Sequence, residues 1–113
     1  MSFQPVNTEL DRVSKEIELV SEELAQARTD YLLEKAKYEN EFSRNLLETK
    51  LRYPDMTQSE IKATAINLSY QDKLNAIQSE SRYKKLSGEL RALRDRLDAL
   101  KEQSYNLRSE TRI

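Results

Sequence analysis

Leu10, Val13, Ile17, Val20, Leu24, Ala27 and Tyr31 recur at alternating steps of three and four. That spacing marks the a and d positions of a heptad repeat and predicts a long helix with one apolar seam. After Tyr31 the rhythm passes to Tyr38, Phe42 and Leu46, while Leu32, Leu33, Ala36 and Leu47 widen the apolar face. A widened face suits contact with more than one neighbouring helix. In the second half, Ile61, Ala65, Ile66, Tyr70, Leu74 and Ile77 form one stripe. Leu86, Leu90, Leu93, Leu97, Leu100 and Leu107 continue it at heptad spacing, with Ser104 at the one polar seam position.

The two periodic stretches are divided near mid-chain. Pro54 is the only interior proline and pushes Tyr53 out of helical dihedrals, which ends the first helix there. Thr57 and Glu60 have the spacing of a capping box, in which the threonine oxygen takes the Glu60 amide and the Glu60 side chain returns to the Thr57 amide. Met56 and Ile61 stand where the accompanying hydrophobic staple would place them. At the other end, Asn7 or Thr8 can cap the first helix, with Glu9 and Asp11 suiting its positive pole. The pattern thus predicts a single domain over residues 1–113: helix 1 over about 8–53, a turn at 54–57, and helix 2 over about 58–109. The polar stretch Gln78–Arg82 can bend helix 2 without breaking it. Gly88, the only glycine, costs about 1 kcal/mol relative to alanine and suits a close approach of helices.

Folding at the turn sets residue i near residue 110−i, which fixes the fold class as all-α, a long antiparallel two-helix hairpin of coiled-coil type. Charge agrees with that register. Residues 9–30 hold seven acids and three bases, net −4, and residues 82–112 hold nine bases and five acids, net +4. Antiparallel packing sets these opposite signs together. Two helices side by side enclose little core, so the pattern also predicts association into a helical-bundle oligomer, most simply a dimer forming a four-helix bundle. Tyr38, Phe42, Leu46, Ile66, Tyr70 and Leu74, on the wide faces near the turn, are the candidate oligomer contact.

Composition removes most chemistries. Histidine and cysteine are absent, which excludes Ser-His and Cys-His nucleophiles and most zinc or transition-metal sites. A single glycine allows no glycine-rich phosphate loop. The carboxylates alternate with Lys and Arg at solvent-facing spacing, so the expectation is a protein that is not an enzyme, with no cofactor, no metal and no small-molecule substrate. The net charge is −1, against binding to nucleic acid by bulk charge. No segment approaches the roughly 18 apolar residues of a membrane span. The N-terminal Met1-Ser2-Phe3-Gln4-Pro5 has no secretion-signal character, and the expected location is the cytoplasm.

What remains is surface. With Leu90 and Leu97 at a and Leu93 and Leu100 at d, the outward positions of helix 2 carry Lys84, Arg91, Arg94, Lys101, Arg108 and Arg112, with Tyr105 among them. This cationic row, about 40 Å long at 1.5 Å per residue, could follow a phosphate backbone while tyrosine stacks on a base. Equally, it could be a solvated face answering the acidic half of helix 1, and Asp98 interrupts it. Helix 1 has a matching acidic row, Glu9, Glu16, Glu23 and Asp30, at g positions. That row reads as a pairing strip or as a mimic of nucleic acid that engages a basic partner. Near the turn, Arg44, Lys50, Arg52 and Tyr53 are expected to reach solvent, whereas Tyr38, Phe42 and Tyr70 fall on the apolar stripes. Repeated around an oligomer, these basic residues would form a multivalent surface.

The run Tyr83-Lys84-Lys85-Leu86-Ser87-Gly88-Glu89-Leu90-Arg91-Ala92-Leu93-Arg94-Asp95-Arg96-Leu97-Asp98-Ala99-Leu100 follows a charged helix holding Tyr31-Leu32-Leu33-Glu34-Lys35-Ala36-Lys37-Tyr38. Together they resemble small helical proteins of tailed bacteriophages, and more distantly the recombination mediators of T4-type phages. The resemblance spans about residues 28–105. It implies an oligomer that binds single-stranded DNA and helps load a recombinase onto strands coated with single-strand-binding protein. The alternative is a protein-interaction module, an inhibitor or adaptor of a host or phage protein, with no nucleic acid bound.

Overall fold

The computed structural model describes the backbone of residues 3–111 and the side chains of residues 5–109. Among these residues the fold is all-α, without strands: α1 (Phe3–Arg52), α2 (Gln58–Leu68) and α3 (Tyr70–Thr111). Their contacts divide into two compact units. One joins Met1–Ala25 with Lys84–Ile113, and the other is Gln26–Tyr83.

The first unit is a leucine seam. Val6, Val13 and Leu100 are buried together, and Leu10, Ile17, Leu93, Leu97 and Leu107 pack against them. Leu86, Leu90 and Ser104 are also buried. Val6 explains why α1 begins at Phe3 and not after Asn7 or Thr8 as the capping residues suggest. It stands four residues before Leu10, so the seam reaches into the first turn and holds it. Pro5 is no obstacle there, since first-turn amides have no partner within the helix. Gly88 is not a point of close approach: a Cβ built on it would meet nothing within 4 Å.

In the Gln26–Tyr83 unit, rising positions on α1 meet falling positions beyond the turn. Asp30 pairs with Arg82 at 3.6 Å, Lys37 with Asp72 at 3.8 Å, and Asn45 donates to Ser69 Oγ at 2.8 Å. Tyr31 and Tyr83 stack with ring centroids 5.9 Å apart. Helix α1 ends at Arg52, and Tyr53 opens a turn in which the Met56 amide donates to the Tyr53 carbonyl at 3.1 Å, with Pro54 in the position a turn favours. Thr57 is the N-cap of α2 and accepts from the Glu60 amide at 3.2 Å. The box closes differently from its usual form, because the Glu60 carboxylate takes the Thr57 hydroxyl at 2.9 Å and not the Thr57 amide.

Helix 2 is not continuous. The interruption falls at Ser69, between α2 and α3, while the polar stretch Gln78–Arg82 stays helical within α3. Ser69 has φ −104° and ψ 14°. Its amide is shared between the carbonyls of Ala65 at 3.1 Å and Ile66 at 3.2 Å, and the ladder resumes when the Lys73 amide reaches the Ser69 carbonyl at 3.0 Å. The side chain is 1% exposed. A buried hydroxyl needs a partner, and Asn45 supplies it.

Candidate nucleic-acid interface

Helix α3 presents a basic face in the unit built on the leucine seam. At 3.6 residues per turn, Arg94, Lys101 and Tyr105 lie on one flank of the Leu90–Leu93–Leu97–Leu100 seam, with Arg91 further out. Arg96 lies on the opposite flank. Lys84, Arg91, Arg94, Lys101 and Arg108 are all exposed, and Tyr105 is 70% exposed. Arg112 lies outside the described residues. From Arg91 to Arg108 the face runs about 25 Å along the helix.

The acidic row of α1 is answered elsewhere. Glu9 accepts from Arg12 through both Nε, at 3.0 Å, and Nη2, and Arg96 reaches it at 3.5 Å. Arg12 also donates to Glu16 at 3.3 Å. The bond from Arg12 is the main reason the Glu9 carboxyl is held down at about 2; its partial burial acts the other way, and the Arg12 and Arg96 charges add to the lowering. In the other unit Asp30 is engaged by Arg82 and by Gln26, the latter at 2.9 Å. Thus the arginines of α3 that meet the acidic row are Arg96 at Glu9 and Arg82 at Asp30, and Arg96 is on the far flank of the leucine seam. Arg91, Arg94 and Lys101 form no ion pair among the described residues. Asp98 stands between them in the row and does not close a bridge to either neighbour.

Arg44, Lys50 and Arg52 are exposed in the Gln26–Tyr83 unit but do not converge on one site. Arg44 is tied to Glu41 at 2.6 Å. Lys50 edges a groove of about 260 Å³ with Phe42, Leu46, Gln58, Ile61 and Lys62. Arg52 borders two other hollows, in both cases beside Tyr53. Of the residues expected at an oligomer contact, Tyr38, Phe42, Leu46, Ile66 and Leu74 are half-buried and Tyr70 is 55% exposed. Tyr38 and Phe42 pack ring to ring at 6.1 Å.

Several features were not read from the sequence. Asn45 and Thr49 occupy the buried line of α1 where Phe42 and Leu46 were expected to carry the seam. A signal existed: positions 10, 17, 24, 31, 38 and 45 keep a strict period of seven, but the polarity of Asn45 hides it. Glu34 continues the same line and has one buried carboxylate oxygen, Oε2, with no hydrogen-bond partner. The groove between Lys50 and Lys62 depends on how α1 and α2 meet, which periodicity alone does not give.

Among the described residues no group of three or more His, Cys, Asp or Glu is placed to hold a metal ion, and no helix is long and apolar enough to cross a membrane. No protein-family model, no curated protein and no solved structure matches the chain.

Proposed function

We propose that this chain is an antiparallel helical hairpin that associates with copies of itself and binds single-stranded nucleic acid, without catalysis, along the outer face of α3. The observation that carries this reading is the distribution of charge in the seam-built unit. Glu9 and Glu16 of the acidic row of α1 are met by Arg12 and Arg96, whereas Arg91, Arg94 and Lys101 are exposed on the other flank with Tyr105 among them. A solvated strip serving only to pair the two helices would be engaged with that acidic row. A row left outside the pairing suits an external polyanion, and an exposed tyrosine within it suits an unstacked base. Delivery of the bound strand to a recombinase in the cytoplasm, past single-strand-binding protein, is the role that the phage resemblance adds.

Fluorescence anisotropy with a labelled oligothymidine across a salt series tests the reading. For single strands each phosphate contact contributes about −0.7 to the slope of log affinity against log salt. Replacing Arg91, Arg94 and Lys101 with glutamine should therefore flatten the slope by about 2 while leaving the helical circular dichroism intact. Absence of binding at low salt in the unaltered chain sinks the proposal.

A second reading, a protein-interaction module without nucleic acid, is favoured by the exposed apolar residues of the Gln26–Tyr83 unit. Leu32, Leu33, Leu47, Leu51, Leu68 and Ile77 each leave about half or more of their surface open. The same titration separates the two readings, since the module would bind no strand at any salt.

A further inference from the structure

Within the Gln26–Tyr83 unit, two mainly apolar grooves, together called the trough, each use α1 as one wall. The first lies between Phe42 and Leu46 of α1 and Ile61 of α2, and has a volume of about 260 Å³. The second lies between Tyr31 and Tyr38 of α1 and Ala76 and Ile77 of α3, at about 210 Å³. Of the α1 lining residues, 31, 35, 38, 42, 46 and 50 follow one another at steps of three and four, with Glu39 beside Tyr38, so they form one continuous strip. In sequence between the two sets of lining residues beyond the turn, Ile66 is half-buried and Tyr70 is 55% exposed, while Ile77 in the second groove is 48% exposed.

The charges at the two ends differ. The Phe42–Ile61 end carries Lys50 and Lys62 and no acid. At the Tyr31–Ile77 end, Lys35 and Lys73 are balanced by Glu39 and Glu80. We infer that a second copy of this chain covers the trough, related by a two-fold axis that crosses the helices at right angles. Each α1 then lies antiparallel on the partner's α1, and the doubly cationic end of one copy sits over the balanced end of the other. An axis parallel to the helices would instead gather four lysines, two from each copy, with no acid between them, and like charges in a closed interface cost several kcal/mol.

Size fits this occupant. The strip from residue 31 to residue 50 is about 28 Å long at 1.5 Å per residue, and two helices side by side are about 20 Å wide. Such a footprint, on the order of 600 Å², approaches the roughly 800 Å² per partner of a specific interface. An isologous contact also closes on itself.

The proposal rests on the self-association stated above and adds its surface and orientation. Sedimentation should give twice the chain mass of 13.3 kDa. Replacing Leu46 and Ile77 together with glutamate should weaken association at least a hundredfold. Because that variant can also lose its fold, disulfide trapping provides an independent measurement; the chain has no cysteine of its own. Lys50→Cys chains co-expressed with Lys35→Cys chains should cross-link at least tenfold more than Lys50→Cys with Lys62→Cys. A single-chain mass leaves the trough to a different protein and overturns both the association and this contact. A dimer that cross-links through 50 and 62, or that is indifferent to the glutamates, overturns this contact alone.

Discussion

Asn45 and Ser69 form a buried polar bond in a unit that is otherwise poor in buried apolar residues, and its 2.8 Å length leaves no room for water between them. Replacing Asn45 with alanine should cost about 1–3 kcal/mol, the desolvation penalty of a hydroxyl left without its partner. Pairing Asn45→Leu with Ser69→Ala should recover much of that loss, since both polar groups then disappear together. Urea unfolding of the single and double variants measures the coupling. Gly88 predicts the opposite sign. With open space where its Cβ would sit, Gly88→Ala should stabilise by about 1 kcal/mol through helix propensity. Glu9 adds a pH dependence. Its carboxyl is lowered from 4.5 to about 2 by Arg12 and then Arg96, so its contribution is fully present above pH 4.5 and is lost as pH falls toward 2. Changing Glu9 to glutamine should remove that part of the acid sensitivity, as followed by thermal melts at pH 5 and pH 2.5.

At the scale of elements, local chemistry and packing decide different boundaries. The turn is fixed by Pro54 and Thr57, whose effects do not need a partner helix, and both were legible. Thr57→Ala should lower stability by about 1 kcal/mol by orphaning the Glu60 amide at the start of α2. Replacing Glu60 with glutamine should change less, since an amide can still accept the Thr57 hydroxyl. The start of α1 and the interruption at Ser69 are packing events and were not legible. Capping residues marked Asn7 or Thr8 as the start, yet burial of Val6 extends the helix past them. Nothing local to residues 66–72 forbids a helix; the distortion serves a hydroxyl whose partner lies 24 residues away. The candidate site divides in the same way. Helical spacing was enough to place Lys84, Arg91, Arg94, Lys101 and Tyr105 on one exposed face. Which cations the acids of α1 would engage depended on the flank on which the helices meet, and the contacts of Glu9 with Arg96 and of Asp30 with Arg82 reveal it.

For the whole molecule the limiting quantity is buried apolar area. Among the described residues nine apolar side chains are buried, three of them alanine. Isolated helices gain little stability from propensity alone, and most of what holds them in proteins is packing of an apolar face. If the trough is covered by a second copy, folding and association are linked, and the folded state must gain stability as the protein is concentrated. Each tenfold rise in concentration adds about 1.4 kcal/mol to the folded dimer. Two chains of 113 residues have an unfolding entropy, at about 2.1 cal/mol/K per residue, that turns this increment into a shift of about 3 °C in Tm. Melts followed by circular dichroism over a hundredfold range of concentration should therefore move by about 6 °C. The Leu46→Glu, Ile77→Glu pair should flatten this dependence even where it lowers the Tm itself. A Tm independent of concentration would mean that the few buried residues of one chain suffice, and that the apolar trough remains open to solvent in the folded state.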